Sequence, residues 1–173
     1  RQMCIRDSNR RSSEKYNKEL AAINAGTFPK LPGYAEGGRH AVKHADEIDR
    51  FARGLQGQKY VFGGIHWGDC SAAMSAIARF AVGLAPFAAR FTTASERGAL
   101  AALGFKTGRG GPGDLRMGWK NGGPGGGHTA GTLPNGVNVE MGGANPSMGK
   151  YGGSAAGSNH PQFNEHAYLP VPT

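Results

Sequence analysis

The tripeptide Asp69-Cys70-Ser71 holds one of only two cysteines in a chain of 173 residues. A cysteine attacks carbonyl carbons as its thiolate, so a nucleophilic role needs a device that favours the anion. One such device is the first turn of a helix, where unpaired N–H groups and the helix dipole attract negative charge. Asp69 is a good N-cap and places Cys70 at a helix start. The competing reading is a small, inert core residue. A second device is a neighbouring base. The chain has six histidines. His40 and His44 lie on or near a charged helix and read as solvated, His66 lies in the turn leading to Cys70, and His160 and His166 follow a glycine-rich stretch. His128 differs, because it opens the apolar run His128-Thr129-Ala130-Gly131-Thr132-Leu133 directly after three glycines. A base of this kind needs a polar partner to fix its tautomer, and Asn138 and Glu140 are the candidates. Side chains alternate across a strand, so loop length decides which of them share a face. A three-residue Pro134-Asn135-Gly136 loop puts His128, Asn138 and Glu140 on one face, and a two-residue Asn-Gly turn puts the latter two on the other.

The elements that must carry these residues are readable from periodicity. Ile48, Phe51, Ala52 and Leu55 make one apolar face of a helix expected from about Val42 and ended by Gly57. A second helix is expected from Cys70, with Met74, Ile77, Ala78 and Ala81 facing inward and Gly83 as the stop. A third is expected after Thr93, where Thr93-Ala94-Ser95-Glu96 has the form of a capping box and Leu100 and Leu103 face the core. Tyr60-Val61-Phe62-Gly63-Gly64 reads as a strand entering a flexible turn. Eighteen of the 30 glycines fall between Gly104 and Gly153, which disfavours long helices there. Short strands are expected at Asp114–Trp119, His128–Leu133, Val137–Met141 and Ala167–Val171, with Gly142–Ser158 as a long loop. Helices first and strands after point to an α+β fold with helices packed on an antiparallel sheet of about four to six strands.

Upstream, residues 9–30 are polar, with a short helix expected at Ser13–Asn24, and Thr27–Gly38 reads as a linker. The expected organisation is a polar segment and linker over residues 1–41 and one domain over 42–173. The chain does not begin with Met and is expected to be part of a longer one. Its opening RQMCIRDS resembles translated adapter sequence, so Cys4 is given no role. Two cysteines make neither a disulfide framework nor a zinc finger, and no metal or other cofactor is expected. No run of about eighteen apolar residues is present to span a membrane. The net charge of +8 suits a polyanionic partner. It is spread as +5 over residues 1–60 and +3 over the remainder, without the basic stripe and interleaved aromatics of a nucleic-acid module.

Tyr60-Val61-Phe62-Gly63-Gly64, Asp69-Cys70-Ser71 and Gly127-His128-Thr129-Ala130 resemble the NlpC-type cysteine peptidases, cell-wall endopeptidases of papain-like fold. The resemblance covers about Val42 to Val171. It departs from the family pattern at Ala72, where glycine is usual, and at Phe62, where tryptophan is common. It implies Cys70 as nucleophile, His128 as general base and Glu140, twelve residues later, as orienter, with Tyr60, Asp69 and Ser71 lining the substrate pocket. It also implies cleavage of the peptidoglycan stem peptide between D-glutamate and diaminopimelate. Arg90-Phe91-Thr92-Thr93, Leu103-Gly104-Phe105, Glu140-Met141-Gly142-Gly143 and His166-Ala167-Tyr168-Leu169-Pro170 further resemble peptidase domains inside tape-measure proteins of actinobacterial phages. That implies a place in a virion tail, with other tail proteins as partners, or secretion to the cell wall. A non-catalytic wall-binding or structural tail domain, and an amidase or acyltransferase on the same scaffold, are the rival expectations.

Overall fold

A computed structural model of the protein describes residues 41–123, 126–144 and 147–173. The expected helix at Ser13–Asn24 and the linker at Thr27–Gly38 lie outside the described residues. Residues His40–Thr173 form one compact unit. In chain order its elements are α1 (Ala45–Ala52), a 3-10 turn (Arg53–Leu55), α2 (Cys70–Ala81), α3 (Glu96–Ala102), β1 (Lys106–Thr107), β2 (Asp114–Lys120), β3 (His128–Thr132), β4 (Asn138–Gly142), β5 (Met148–Tyr151) and β6 (Glu165–Pro170). The strands form one six-stranded sheet in the order β1-β6-β2-β3-β4-β5, with every neighbouring pair antiparallel. The fold is therefore α+β, with few helices and one antiparallel sheet.

Helix α1 begins at Ala45 rather than Val42. The His44 backbone N–H donates to the Glu47 carboxylate at 3.0 Å, which closes the first turn. Ile48, Ala52 and Leu55 are fully buried, while Phe51 stacks on Phe80 with ring centroids 4.2 Å apart. Helix α2 starts where Asp69 accepts from the Ala72 N–H at 3.1 Å. It stops at Gly83, whose φ of 76° is a left-handed conformation that suits glycine. Ten of its twelve residues are buried, many of them alanine, so its backbone lies close on the sheet. A Cβ at Gly131 of β3 would meet the Met74 sulfur at 3.1 Å, so this glycine gives the helix its seat. Truncating Met74 at this packed contact would cost about 2–5 kcal/mol.

Four expectations need correction. The Thr93–Glu96 capping box does not form: Ser95 is the N-cap, Glu96 is the first helical residue, and Thr93 donates to Asn121 at 3.3 Å instead. Leu100 is fully buried, whereas Leu103 is only half-buried. Tyr60–Gly64 is not a strand; only Lys59 makes a single bridge, to Met148, and the chain then turns. The turn closes through Val61 N–H to Gly68 O at 2.8 Å and Gly64 N–H to Val61 O at 2.9 Å. Gly142–Ser158 is not all loop, because Met148–Tyr151 forms β5 against β4. Within β5, Gly149 lies against the Leu55 carbonyl and leaves no room for a side chain. The residue that looks like a strand breaker is the one that lets the strand dock.

The hairpin between β3 and β4 has the three-residue loop. Leu133 N–H donates to Val137 O at 2.8 Å, and the register pairs Ala130 with Glu140 and Thr132 with Asn138. Even-numbered residues of both strands share one face. On the other face, Met117, Val139 and Met141 are fully buried in the core with Met74 and Ile77 of α2.

Candidate active site

Cys70 is a free cysteine, the first residue of α2, with 9% of its surface exposed. The loop leading to it is held from several directions. Asp69 Oδ2 accepts from the Gly63 N–H at 2.8 Å, and Oδ1 accepts from the Ala72 N–H and from Ser71 Oγ at 3.2 Å. Arg90 closes this network: its guanidinium donates to Asp69 Oδ1 at 2.7 Å, to Ser71 Oγ at 2.9 Å and to the Gly64 carbonyl at 2.7 Å. Buried charge of this kind is tolerated when paired and fully hydrogen-bonded. Trp67 takes a left-handed backbone with φ of 58°, uncommon for a non-glycine residue. Its buried ring packs on Phe51 at 5.0 Å and Phe87 at 5.2 Å between centroids, which holds that conformation. Next to it, Gly68 lies directly against the Gly64 carbonyl, where no Cβ fits.

His128 opens β3 and is half-buried. Its Nε2 lies 2.7 Å from Glu140 Oε1, and Cys70 acts on the ring electrostatically. With Nε2 taken by the carboxylate, Nδ1 is the nitrogen left to face a second group. Burial opposes the charged imidazole and is the largest single influence on it. The hydrogen bonds and charges of Cys70 and Glu140 together outweigh burial and push the pKa of His128 up to about 9. Glu140 is almost fully buried. Burial pushes its pKa up, but the His128 hydrogen bond, the Ala156 N–H at 3.0 Å and the charges of His128 and Lys150 hold it below the ordinary carboxylate value. Asn138 has the same parity but a different partner: its Oδ1 accepts from Thr132 Oγ1 at 2.9 Å.

The structure thus brings Cys70, His128 and Glu140 together. Tyr60 borders them, 39% exposed and seated over Gly142, where a Cβ would come within 2.9 Å of its ring. Burial and the charges of Cys70 and Asp69 raise its phenol pKa. Asp69 and Ser71 are buried and bonded to the loop and to Arg90. Val61, Phe62 and Ile65 leave an exposed apolar rim on the same loop. Sequence reasoning placed neither Arg90 nor Lys150 in the site and read Glu96 only as part of a capping box. The first two carry no spacing signal, because each is brought in by long-range pairing.

Glu96 is the residue least expected. It is fully buried, its Oε1 lies 2.7 Å from Thr129 Oγ1, and its Oε2 has no hydrogen-bond partner. Thr129 Oγ1 also lies 3.2 Å from the Gly118 carbonyl, which can only accept. The Thr129 hydroxyl has one proton and donates it to Glu96 Oε1 or to the Gly118 carbonyl. Burial, opposed by the Thr129 hydrogen bond and reinforced by the charges of Cys70 and Glu165, raises the Glu96 pKa well above its ordinary value. Burial thus disfavours the charged form of Glu96.

Thiol, imidazole and carboxylate in series can generate a nucleophile, hold its proton and return that proton to a leaving group. Among the described residues no group of three or more His, Cys, Asp or Glu side chains could hold a metal ion, and no helix is long and apolar enough to cross a membrane. No protein-family model, curated protein or solved structure matches the chain.

Proposed function

We propose that residues 42–173 are a papain-like, NlpC-type cysteine peptidase domain that hydrolyses the stem peptide of peptidoglycan. The observation that carries this reading is the Cys70–His128–Glu140 constellation, with the thiol at a helix start and the imidazole between sulfur and carboxylate. The resemblance of the flanking motifs supplies the substrate class. Cys70 Sγ gives its proton to His128 Nδ1 and attacks the carbonyl carbon of the D-glutamyl amide. The backbone N–H of Cys70 faces the resulting oxyanion from the helix start. His128 then protonates the amine of diaminopimelate as the C–N bond breaks, leaving a thioester on Cys70. Water, deprotonated by His128, attacks the thioester; the C–S bond breaks and the sulfur recovers the proton. Glu140 stays ionised throughout and keeps the Nε2–H tautomer of His128.

Tyr60, Asp69 and Ser71 line the pocket in this reading, Tyr60 by its exposed ring and the other two through the loop they hold. The motif resemblance further assigns the domain to a phage tail tape-measure protein, acting at the cell wall from the virion tail or after secretion, beside other tail proteins. The net charge of +8 suits an anionic wall.

The test is mass spectrometry of purified muropeptides after incubation with the domain. New D-glutamate carboxyl and diaminopimelate amino termini are expected. Release of the whole stem peptide from the glycan would instead identify an amidase, and wall binding without any new terminus would identify a non-catalytic module.

A further inference from the structure

Lys150 stands directly across from Glu140 in the β4–β5 pair and is 6% exposed. Lysine is almost never buried unless its charge is paired. Here the ammonium donates to the Gly142 carbonyl at 3.0 Å and the Ala144 carbonyl at 2.8 Å, and it lies 3.6 Å from Glu140 Oε2. The same Oε2 accepts from the Ala156 N–H, while Oε1 faces His128. One carboxylate oxygen is thus occupied from β5 and the covering loop, and the other is left for the imidazole. The charged and titratable groups acting on Glu140 are His128 from β3 and Lys150 from β5.

We propose that Lys150 is a positioning residue of the site, the cation that keeps Glu140 ionised and aimed at His128. Lys150, Glu140, His128 and Cys70 then form one line of charge running from β5 across β4 and β3 to the start of α2. The catalytic meaning of this line rests on the peptidase reading; the coupling of Lys150 to Glu140 does not. The plainer role for Lys150 is to pin the turn after β4 through its two carbonyl contacts. The two roles separate experimentally, because one needs the charge and the other only the donors.

Lys150→Gln keeps donors for the carbonyls and removes the charge, Lys150→Met removes both, and Lys150→Arg keeps the charge. The Glu140 carboxyl carbon can be titrated by NMR in the resting protein without substrate, and the pH profile of stem-peptide hydrolysis recorded beside it. The proposal expects Glu140 to titrate at higher pH in the Gln and Met variants and near its original pH in the Arg variant. The acid limb of kcat/KM should move to higher pH in the same two variants. A folded Lys150→Gln protein in which Glu140 titrates as in the unmodified protein overturns the proposal. Should the substitutions prevent folding, the Lys150 Nζ signal of the unmodified protein must still shift as Glu140 takes up its proton, and a signal blind to that step also overturns it. A shifted Glu140 titration in a protein that cuts no stem peptide would uphold the Lys150–Glu140 coupling and overturn only the peptidase reading.

Discussion

Glu140 meets His128 on a diagonal. Its direct cross-strand partner is Ala130, two residues beyond His128, and the carboxylate reaches back along the strand to close a 2.7 Å contact with Nε2. Diagonal neighbours on one face lie within reach of long side chains, so a glutamate spans a gap that an aspartate could not. Asn138 stands one step further away, opposite Thr132, and is occupied there.

Glu140→Gln should therefore slow turnover by about 10²- to 10⁴-fold, because it removes the group that fixes the imidazole tautomer. Asn138→Ala should leave kcat near that of the parent and cost about 1 kcal/mol of stability through the lost Thr132 bond. Steady-state kinetics on a stem-peptide substrate decide it, and the reverse ranking would transfer the orienting role to Asn138.

Cys70→Ala should abolish turnover, by about 10⁶-fold where the nucleophile is lost, and leave the fold intact. The change removes one sulfur from a buried helix start and leaves a residue with good helix propensity, so circular dichroism and thermal melting should stay close to the parent. Residual hydrolysis comparable with that of Glu140→Gln would exclude Cys70 as the nucleophile.

The His128–Glu140 pair predicts a pH window for stability. The folded pKa of His128 is raised from 6.5 to about 9, so its contribution is full below 6.5 and lost as pH rises through 9. The folded pKa of Glu140 is lowered, so its contribution is present above 4.5 and lost as pH falls through the folded value. The pair therefore stabilises most between about 4.5 and 6.5. The melting-temperature gap between the parent and Glu140→Gln should be widest in that window and shrink above pH 9. A gap that does not vary with pH would contradict the coupling.

Glu96 has the opposite sign from an ordinary carboxylate. Its folded pKa is raised, so the native state holds a proton that the unfolded chain releases above about 4.5, and stability falls as pH rises from there. Glu96→Gln keeps the shape without the ionisable proton. Denaturant titrations across pH 4 to 8 should show this variant gaining on the parent steadily with pH, while activity is retained. Equal pH slopes for the two proteins would mean that Glu96 is ionised in the fold.

Gly143 lies in a left-handed conformation with φ of 78°, and a Cβ there would collide with the Glu140 carboxylate. Gly143→Ala should cost about 1–2 kcal/mol from backbone strain alone and also push the carboxylate off His128. The NMR titration of His128 should accordingly move to lower pH. An unmoved His128 titration in the folded variant would show that Glu140 has room to yield.

The helices and the β3–β4 hairpin were legible because their signals are local. Asp69 caps the turn it precedes, Met74 and Ile77 repeat on one face, and Pro134-Asn135-Gly136 marks a loop whose length decides a parity. What escaped was set by distance. Met148–Tyr151 is four residues long and contains a glycine, and it becomes a strand only because β4 and the Leu55 carbonyl are waiting for it. Glu96 read as a capping residue because its sequence neighbours suit a cap, yet burial against Thr129 claimed its side chain. Arg90 and Lys150 carried no local signal of a role in the site. Their roles arise from contacts to residues 19 to 26 positions away in one case and from a cross-strand pairing in the other.

The three-residue loop joining β3 to β4 contains none of the three residues assigned to the chemistry, yet the way it closes determines whether their line can exist. A slip of the pairing by one residue, closing the hairpin on Pro134 and Val137 in place of Leu133 and Val137, would turn Glu140 over to the helix side of the sheet and send Met141 or Val139 towards the imidazole. The Leu133–Val137 closing contact therefore guards the chemistry from outside it. Descent of this domain should show residues gained or lost inside the loop only where that pair still closes it, and a slipped register only where the orienting role has passed to a neighbouring position.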